Sequence, residues 1–109
     1  MKSTKNLTLI QIVPITVMGT AMGNITLRVP SFPKQSKDVR TLGQRLDICG
    51  AGFDITRMLT RLGLSCTPLL TVGNGYWGVR IKRLMMQEGI MPLLQDKYRD
   101  NGWYITMID

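Results

Sequence analysis

Apolar and polar residues alternate with two different periods along the chain, and these periods predict strands and helices. Residues 12–18 are rich in β-branched side chains and end at a glycine, which predicts a buried first strand. Residues 25–29 alternate and stop at a proline, and residues 39–46 mix apolar with polar side chains. These two segments predict a hairpin over residues 25–48 that lies apart from the main core.

Two later segments have the period of amphipathic helices. The first places four apolar side chains on one predicted buried face: Ile55, Met58, Leu59 and Leu62. The second does the same with Trp77, Ile81, Leu84 and Met85. Gly63 and Gly89 follow the last apolar positions, where left-handed cap residues belong. Asn74, in a turn before the second helix, is a candidate cap for that helix.

The remaining apolar runs predict three more strands, at residues 66–72, 90–94 and 103–108. Strands that alternate with helices are typical of an α/β protein with a parallel sheet covered by helices. The chain has 109 residues, which fits one small domain.

Charge and cysteine content narrow the candidate chemistry. The net charge of +7 favours anionic partners, and the basic residues are scattered, with nine of the fourteen in three stretches, 34–45, 57–61 and 80–83. A solvated surface and a dedicated anion site both remain open. The chain has no histidine, which excludes Ser–His and Cys–His catalysis and His-ligated zinc. Cys49 and Cys66 are expected to be reduced thiols of a cytoplasmic protein, without a metal site.

The N-terminal segment has two interpretations. Lys2 and Lys5 precede an apolar stretch over residues 7–22, which is similar to a secretory signal peptide. Gln11 and Pro14 interrupt this stretch, and a buried first strand explains the same residues. The sequence has no run of the length expected for a membrane span.

Candidate binding groups follow two of the predicted strands. Open parallel sheets bind ligands at the carboxyl ends of their strands, which here are residues 19–24 and 50–54. Asn24 and Asp54 could hydrogen-bond hydroxyl groups, and Gly50 would let a ligand approach the backbone at a helix N-terminus. A purely structural role is equally open: Gly50 and Gly52 could shape the strand-to-helix turn and Asp54 could cap the helix.

Several motifs occur in a familiar order. They are the opening strand Ile15–Asn24, the segment Cys49–Asp54 with the helix end Met58–Gly63, and the steps Val72-Gly73, Tyr76–Gly78 and Glu88–Ile90. Together with the Asn101-Gly102-Trp103 segment, they resemble the N-terminal portion of ribokinase-type (PfkB) carbohydrate kinases over residues 12–109.

The resemblance implies an α/β fold, a ribokinase-like three-layer sandwich that is partial here and carries a small β-lid. The lid would comprise residues 25–48 and 103–108, and lids of this family often pair between subunits. Substrate-binding positions of the family match Asn24, Gly50, Ala51 and Asp54. Three residues depart from the family pattern: Asn24 replaces Asp, Cys49 replaces Gly and Asp54 replaces Asn. With these departures, hydroxyl binding could be preserved while the preferred sugar changes.

The family's catalytic base and anion hole lie in a late Gly-Ala-Gly-Asp motif. Residues 50–54 are superficially similar but contain one residue too many, and no later segment of this sequence supplies the motif. We therefore expect residues 1–109 to be the substrate-binding part of an ATP-dependent sugar or nucleoside kinase, without its nucleotide-binding and catalytic part. The intact family uses ATP and Mg²⁺, and neither is expected to bind fully here. No catalytic residue is assigned, and the chain alone is expected to be inactive.

Two alternatives belong to other functional classes. One is a non-catalytic sugar-binding module or a module that dimerises through its lid, since exposed strand edges favour pairing between chains. The other is a basic nucleic-acid-binding protein. The sequence lacks the aromatic-and-basic strand pattern of an RNA-recognition sheet, which argues against this second alternative.

Overall fold

The structure, a computed structural model, describes residues 14–109. The strands and helices of this part are β1 (Thr16–Gly19), β2 (Met22–Arg28), β3 (Gly43–Cys49), α1 (Ala51–Arg61), β4 (Thr67–Val72), α2 (Tyr76–Gln87), β5 (Leu94–Gln95) and β6 (Trp103–Ile108). The first two residues of the predicted opening strand lie outside the described residues. So do residues 7–13 of the stretch considered as a signal peptide. Within residues 14–109, neither helix has the length and apolar character needed to cross a membrane.

The main sheet is parallel, in the order β1-β4-β5. Helix α1 packs on β1 and β4, and α2 packs on β4 and β2. The far ends of the two helices are joined by an ion pair in which Arg61 Nε donates to Glu88 Oε2 at 3.0 Å. The predicted strand at residues 90–94 is wrong in position, because Ile90 is buried in the core after α2 and pairing with β4 is confined to β5.

The second sheet forms the lid, in the order β3-β2-β6. Strand β2 pairs antiparallel with β3 and parallel with β6, so Asn24 lies opposite Asp47 on one side and Tyr104 on the other. The predicted hairpin is confirmed, but it does not lie apart from the core, because Ile25, Leu46 and Ile48 pack against it. Its second strand begins at Gly43, later than the predicted residue 39. The pairing of β2 with β3 runs from Met22 opposite Cys49 to Arg28 opposite Gly43, where β2 ends.

The core confirms the predicted face of α2 and contradicts that of α1. Trp77, Ile81 and Met85 are buried, together with Phe53 of α1. The predicted apolar face of α1 is exposed instead, with fractional exposures of 49% at Ile55, 60% at Met58 and 68% at Leu62.

Small residues explain the orientation of α1. The helix approaches β1 through Gly52, where an added Cβ would lie 2.8 Å from the Cα of Gly19. Phe53 and Thr56 are buried on the same side, and the Thr56 hydroxyl donates to the Gly52 carbonyl oxygen at 2.8 Å. The helix therefore turns its smallest residues toward the sheet, which leaves the larger aliphatic side chains outside.

The helix ends are partly as predicted. Gly63 and Gly89 have φ angles of 81° and 76°, the left-handed conformation expected at their positions. Asn74 does not cap α2, because its side chain donates to the Lys97 carbonyl oxygen. The cap comes from Asp100, whose carboxylate accepts the backbone N–H of Trp77 at 3.0 Å and that of Gly78 at 2.7 Å.

Candidate functional site

One face of the lid is polar. Successive side chains of a strand point to opposite faces, so the register places Met22, Arg28, Arg45 and Ile108 on the same side as six further residues: Asn24, Thr26, Asp47, Cys49, Tyr104 and Thr106. We call these six residues the lid polar face. On the opposite side of the same sheet, Ile25, Leu46 and Ile48 pack against the core. Packing thus fixes which face of the lid remains available to a polar ligand.

Asn24 lies at the centre of the lid polar face and is held by its neighbours. Its Nδ2 donates to the Thr26 hydroxyl at 3.2 Å, and its Oδ1 accepts from the Thr106 hydroxyl at 3.1 Å. A carboxamide has two N–H donors and two acceptor lone pairs. One donor and one lone pair of Asn24 therefore remain for a ligand, in an orientation fixed by β2 and β6.

Tyr104 is a further polar group of this face. Its hydroxyl lies 3.3 Å from the Cys49 thiol, and the same thiol lies 3.6 Å from the Met22 carbonyl oxygen. The hydrogen bond with Cys49 raises the pKa of Tyr104, and the nearby carboxylates of Asp54 and Asp47 raise it further. The neutral hydroxyl is therefore the form present near neutral pH.

Tyr104 also relates the two predicted hydroxyl-binding residues. It is the register partner of Asn24, and its hydroxyl is within electrostatic reach of the Asp54 carboxylate. The Tyr104 hydroxyl thus relates the lid polar face, which contains Asn24, to the charge of Asp54 at the start of α1. Tyr104 was not among the predicted residues. Trp103 faces inward and stacks on Trp77, so strand alternation indicates that the next residue, Tyr104, faces the other side of the lid.

The turn that leads into α1 is shaped by close backbone contacts. Gly50 has a φ angle of 114°, and an added Cβ would overlap the Thr20 carbonyl oxygen. The same oxygen accepts the backbone N–H of Phe53 at 3.1 Å. These contacts give Gly50 and Gly52 a structural reason to be glycine.

The polar and exposed residues of this turn have no such packing role. Asp54 does not cap α1, so that part of the structural interpretation is wrong; its carboxylate pairs with Arg57 at 3.5 Å. Ala51 is exposed at the first position of the helix. Asp54 makes no side-chain hydrogen bond within residues 14–109 apart from the ion pair with Arg57, so its carboxylate keeps acceptor positions.

A cavity of about 300 Å³ lies at the carboxyl ends of β1 and β4. Its walls are residues 19–22, Thr71, Gly73, Asp96 and residues 99–102. Neither Asn24 nor Asp54 lines this cavity. Asn101 crosses this region: it accepts from Gly73 N at 2.7 Å and donates to the carbonyl oxygens of Ala21 and Thr71 at 3.0 and 2.8 Å. Its carboxamide therefore ties the strand ends together.

Known proteins share part of this sequence and this fold. No family model matches the chain. An uncharacterized sugar kinase of Escherichia coli K12, YegV, is 26% identical over 95 residues, which are 87% of this chain and 30% of that protein. Ribokinase from Thermotoga maritima superposes with a TM-score of 0.75 at 17% identity, over 90% of this chain and 33% of the other. The chain has the ribokinase fold.

Two further solved structures share this ribokinase fold. The nucleoside kinase of Methanocaldococcus jannaschii, an archaeal member of the ribokinase family, gives a TM-score of 0.73 at 19% identity over 90% of this chain and 34% of that one. The tetrameric inhibited form of Escherichia coli phosphofructokinase-2 gives 0.59 at 16% identity over 84% and 30%. The predicted resemblance and the partial α/β sandwich are confirmed.

The ribokinase-fold chain spans about a third of the length of these relatives. Within residues 14–109, no three His, Cys, Asp or Glu side chains are grouped closely enough to hold a metal ion. The late Gly-Ala-Gly-Asp motif is likewise missing from the sequence. No phosphoryl-transfer step can be derived from these residues.

Proposed function

We propose that residues 1–109 form the substrate-binding part of an ATP-dependent kinase that phosphorylates a hydroxyl group of a sugar or nucleoside. The sequence similarity to a sugar kinase and the ribokinase fold support this class. The observation that carries the proposal is the lid polar face, on which Asn24 keeps a donor and a lone pair, with the charge of Asp54 acting on the Tyr104 hydroxyl of the same face.

The chemistry of these groups suits a polyhydroxylated ligand. The carboxylate of Asp54 can accept hydrogen bonds from sugar hydroxyls, and the free donor and lone pair of Asn24 can serve one hydroxyl in both directions. The family pattern has a carboxylate at the position of Asn24 and an amide at that of Asp54. Each hydroxyl would therefore meet a different set of hydrogen-bond donors and acceptors here. Cys49 adds a thiol where the family has glycine, and this thiol donates to the Tyr104 hydroxyl at 3.3 Å.

Phosphoryl transfer requires groups that these residues do not supply. Transfer from ATP depends on positioning and on charge stabilisation by the metal, the anion hole and the base. We propose that the 109 residues alone bind substrate weakly, hold neither ATP nor Mg²⁺ in a productive site, and lack kinase activity. The cytoplasm, where ATP and reduced thiols such as Cys49 and Cys66 coexist, is the proposed location.

Isothermal titration of the 109-residue chain with D-ribose, D-fructose and adenosine tests the proposal. We expect at least one of them to bind with a Kd of about 0.1 to 10 mM, since a half-site retains few of the contacts that give tight binding. Asn24→Ala should weaken this binding about tenfold, because it removes one hydrogen-bonding group and the support it receives from Thr26 and Thr106.

Gln44→Ala is the matched control. Gln44 is an exposed amide in β3 that is the register partner of Leu27, so it does not belong to the lid polar face. Its replacement should leave the affinity unchanged. Equal loss in both variants, or no binding by any of the three ligands, would contradict the proposed site.

The open edges of the lid favour a second candidate function, dimerisation. Strands β3 and β6 are the two edge strands of the lid sheet, and Trp103, Ile105 and Ile108 of β6 are exposed apolar residues. Exposed edges of this kind pair readily with another chain. We propose that two copies pair through their lids, which agrees with the tetrameric form recorded for one structural neighbour.

Sedimentation equilibrium at several protein concentrations tests lid pairing. Ile105→Lys should shift the chain toward the monomer, because it places a charge on the edge strand. Met91→Lys changes an apolar residue that is 66% exposed and lies outside the lid sheet, on a surface beside residues 64–68, and should leave the association unchanged. A wild-type chain that stays monomeric throughout would rule out this second candidate.

A further inference from the structure

Three arginines from two helices converge on one groove outside the lid polar face. The groove has a volume of about 290 Å³ and is lined by Arg57 of α1, Arg80 and Arg83 of α2, and parts of β3. The sequence shows these residues in two separate basic stretches. The fold brings the stretches together because α1 and α2 are joined at their far ends by Arg61 and Glu88.

Two of the guanidinium groups are held in place by aromatic rings. The Cζ atom of Arg57 lies 5.2 Å from the centre of the Phe53 ring, and that of Arg80 lies 5.4 Å from the Tyr76 ring. Arg80 also donates to the Tyr76 hydroxyl at 3.2 Å. Stacking on a ring leaves the in-plane N–H donors of an arginine available and reduces the side-chain entropy that binding would cost.

The acidic residues near the groove leave its positive charge in excess. Asp47 is among the lining residues, but its side chain belongs to the lid polar face, and its Oδ2 accepts from Arg45 Nε at 2.9 Å. Asp54 pairs with Arg57 at the longer distance of 3.5 Å. Arg80 and Arg83 make no ion pair with an acidic side chain of residues 14–109.

The lining also has an apolar part. Leu46 and Ile48 of β3 and Leu84 of α2 lie between the arginines and the core. Three charged donors beside aliphatic side chains are complementary to an anion that carries an apolar or aromatic group. Guanidinium forks match the oxygens of a phosphate better than a single ammonium does.

We propose that this groove binds an organic phosphate, meaning a phosphate monoester attached to an apolar or aromatic group. The phosphate would lie between Arg57, Arg80 and Arg83, and the attached group would contact Leu46, Ile48 and Leu84. This site is separate from the lid polar face, because it lies on the side of β3 that packs toward the core. The inference does not depend on the proposed kinase function.

Phenyl phosphate is the probe, titrated into the ¹⁵N-labelled 109-residue chain and followed by amide shifts. We expect a Kd of about 0.1 to 1 mM, and shifts confined to residues 46–48, 57 and 80–87. Inorganic phosphate should bind about tenfold more weakly because it lacks the apolar group. The double variant R80Q/R83Q should weaken phenyl phosphate binding by tenfold or more.

Lys82→Gln is the matched control. Lys82 lies between these arginines in the sequence and loses the same charge, but it lines a different surface beside Gly73 and Asn74. It should change the affinity by less than about twofold. Circular dichroism checks that each exposed substitution leaves the fold intact.

Three results would overturn the assignment. They are equal weakening by Lys82→Gln, no amide shift at about 10 mM phenyl phosphate, and a short RNA that displaces phenyl phosphate with much higher affinity. The first would show general charge attraction, the second an empty surface, and the third a nucleic-acid surface. Sugar binding at Asn24 can be measured in the same variants, so failure of one site is distinguishable from failure of the other.

Discussion

Replacing Asp100 with alanine should destabilise the chain, because this residue fixes the start of α2 from a distant loop. Its carboxylate accepts the N–H groups of Trp77 and Gly78 at 3.0 and 2.7 Å. The N–H groups of the first helical turn have no partner within the helix, and a negative charge there also interacts favourably with the helix dipole. Asp100→Ala removes both effects at once.

The magnitude follows from the two hydrogen bonds and from the exposure of the residue. Replacing a helix-capping acid with alanine costs about 0.5 to 2 kcal/mol. Because Asp100 is exposed, solvent screens its charge and the lower-middle part of this range applies, about 1 kcal/mol. For a chain of this size, that corresponds to a fall in Tm of about 4 to 8 °C.

The pH dependence gives a second signature of the same contact. Partial burial alone raises the pKa of Asp100, but hydrogen bonds from four backbone N–H groups outweigh it, so the pKa is lowered from the ordinary value of 3.8. The folded state therefore favours the carboxylate. This contribution to stability is fully present above the pKa of the unfolded chain and is lost as the pH falls through the lower folded-state value.

Urea unfolding followed by circular dichroism at pH 7 and below pH 4 measures both effects. The difference between wild type and Asp100→Ala should be largest at pH 7 and should shrink in acid. Asp38→Ala is the control, since it removes the same charge from an exposed loop residue between β2 and β3. If Asp100→Ala unfolds with the same free energy as Asp38→Ala at pH 7, the carboxylate does not cap α2.

Three other substitutions test the packing. Gly50→Ala should lower the free energy of unfolding in urea by about 2 kcal/mol or more, because it forces a side chain into a left-handed conformation against a carbonyl oxygen. The control Gly43→Ala meets open space and should cost less than about 0.5 kcal/mol. Similar values for the two variants would contradict the tight turn at Gly50. Met58→Lys should leave the free energy of unfolding nearly unchanged in the same assay, because the Met58 side chain is exposed. Phe53→Ala should cost about 3 to 4 kcal/mol, because the Phe53 side chain is fully buried. The reverse order would support the face of α1 that the sequence predicted. Asn101→Ala should lower the thermal midpoint and increase amide exchange at the strand ends, because it leaves a backbone N–H and two carbonyl oxygens without their partner. Unchanged exchange would show that Asn101 does not hold the strand ends together.

Local periodicity predicted the elements that pack through large apolar side chains. Helix α2 was predicted with its buried face because Trp77, Ile81 and Met85 recur at helical spacing and all reach the core. The hairpin of the lid was predicted because its alternation matches one packed and one polar face. In both cases, the residues that make the pattern are the residues that make the contacts.

Helix α1 shows where this reasoning fails. Its apolar residues repeat at helical spacing, yet its contact with the sheet is made by Gly52, Phe53 and Thr56. Close approach of two backbones needs small residues, and a hydrophobic pattern does not register glycine. The spacing of large side chains thus predicted the existence of the helix but not its rotation.

Long-range contacts account for the groups that sequence reasoning missed. Asp100 caps a helix that begins more than twenty residues earlier, and Asn101 joins strand ends 80 and 30 residues away. Tyr104 reaches the lid polar face through the parallel register of β6 with β2. The positions of Asn24 and Asp54 were found from predicted strand ends and family motifs, whereas the contact of Asn24 with Thr106 depends on a strand pairing that no local pattern specifies.

The proposal as a whole depends on a polar ligand meeting the lid polar face and the start of α1 together. Amide shift mapping of the 109-residue chain with D-ribose and adenosine tests this most directly. We predict that the amides of Asn24, Tyr104 and residues 50–54 shift with one common Kd. Shifts that occur in one of these segments without the others, or that map to another surface, would contradict a shared substrate site.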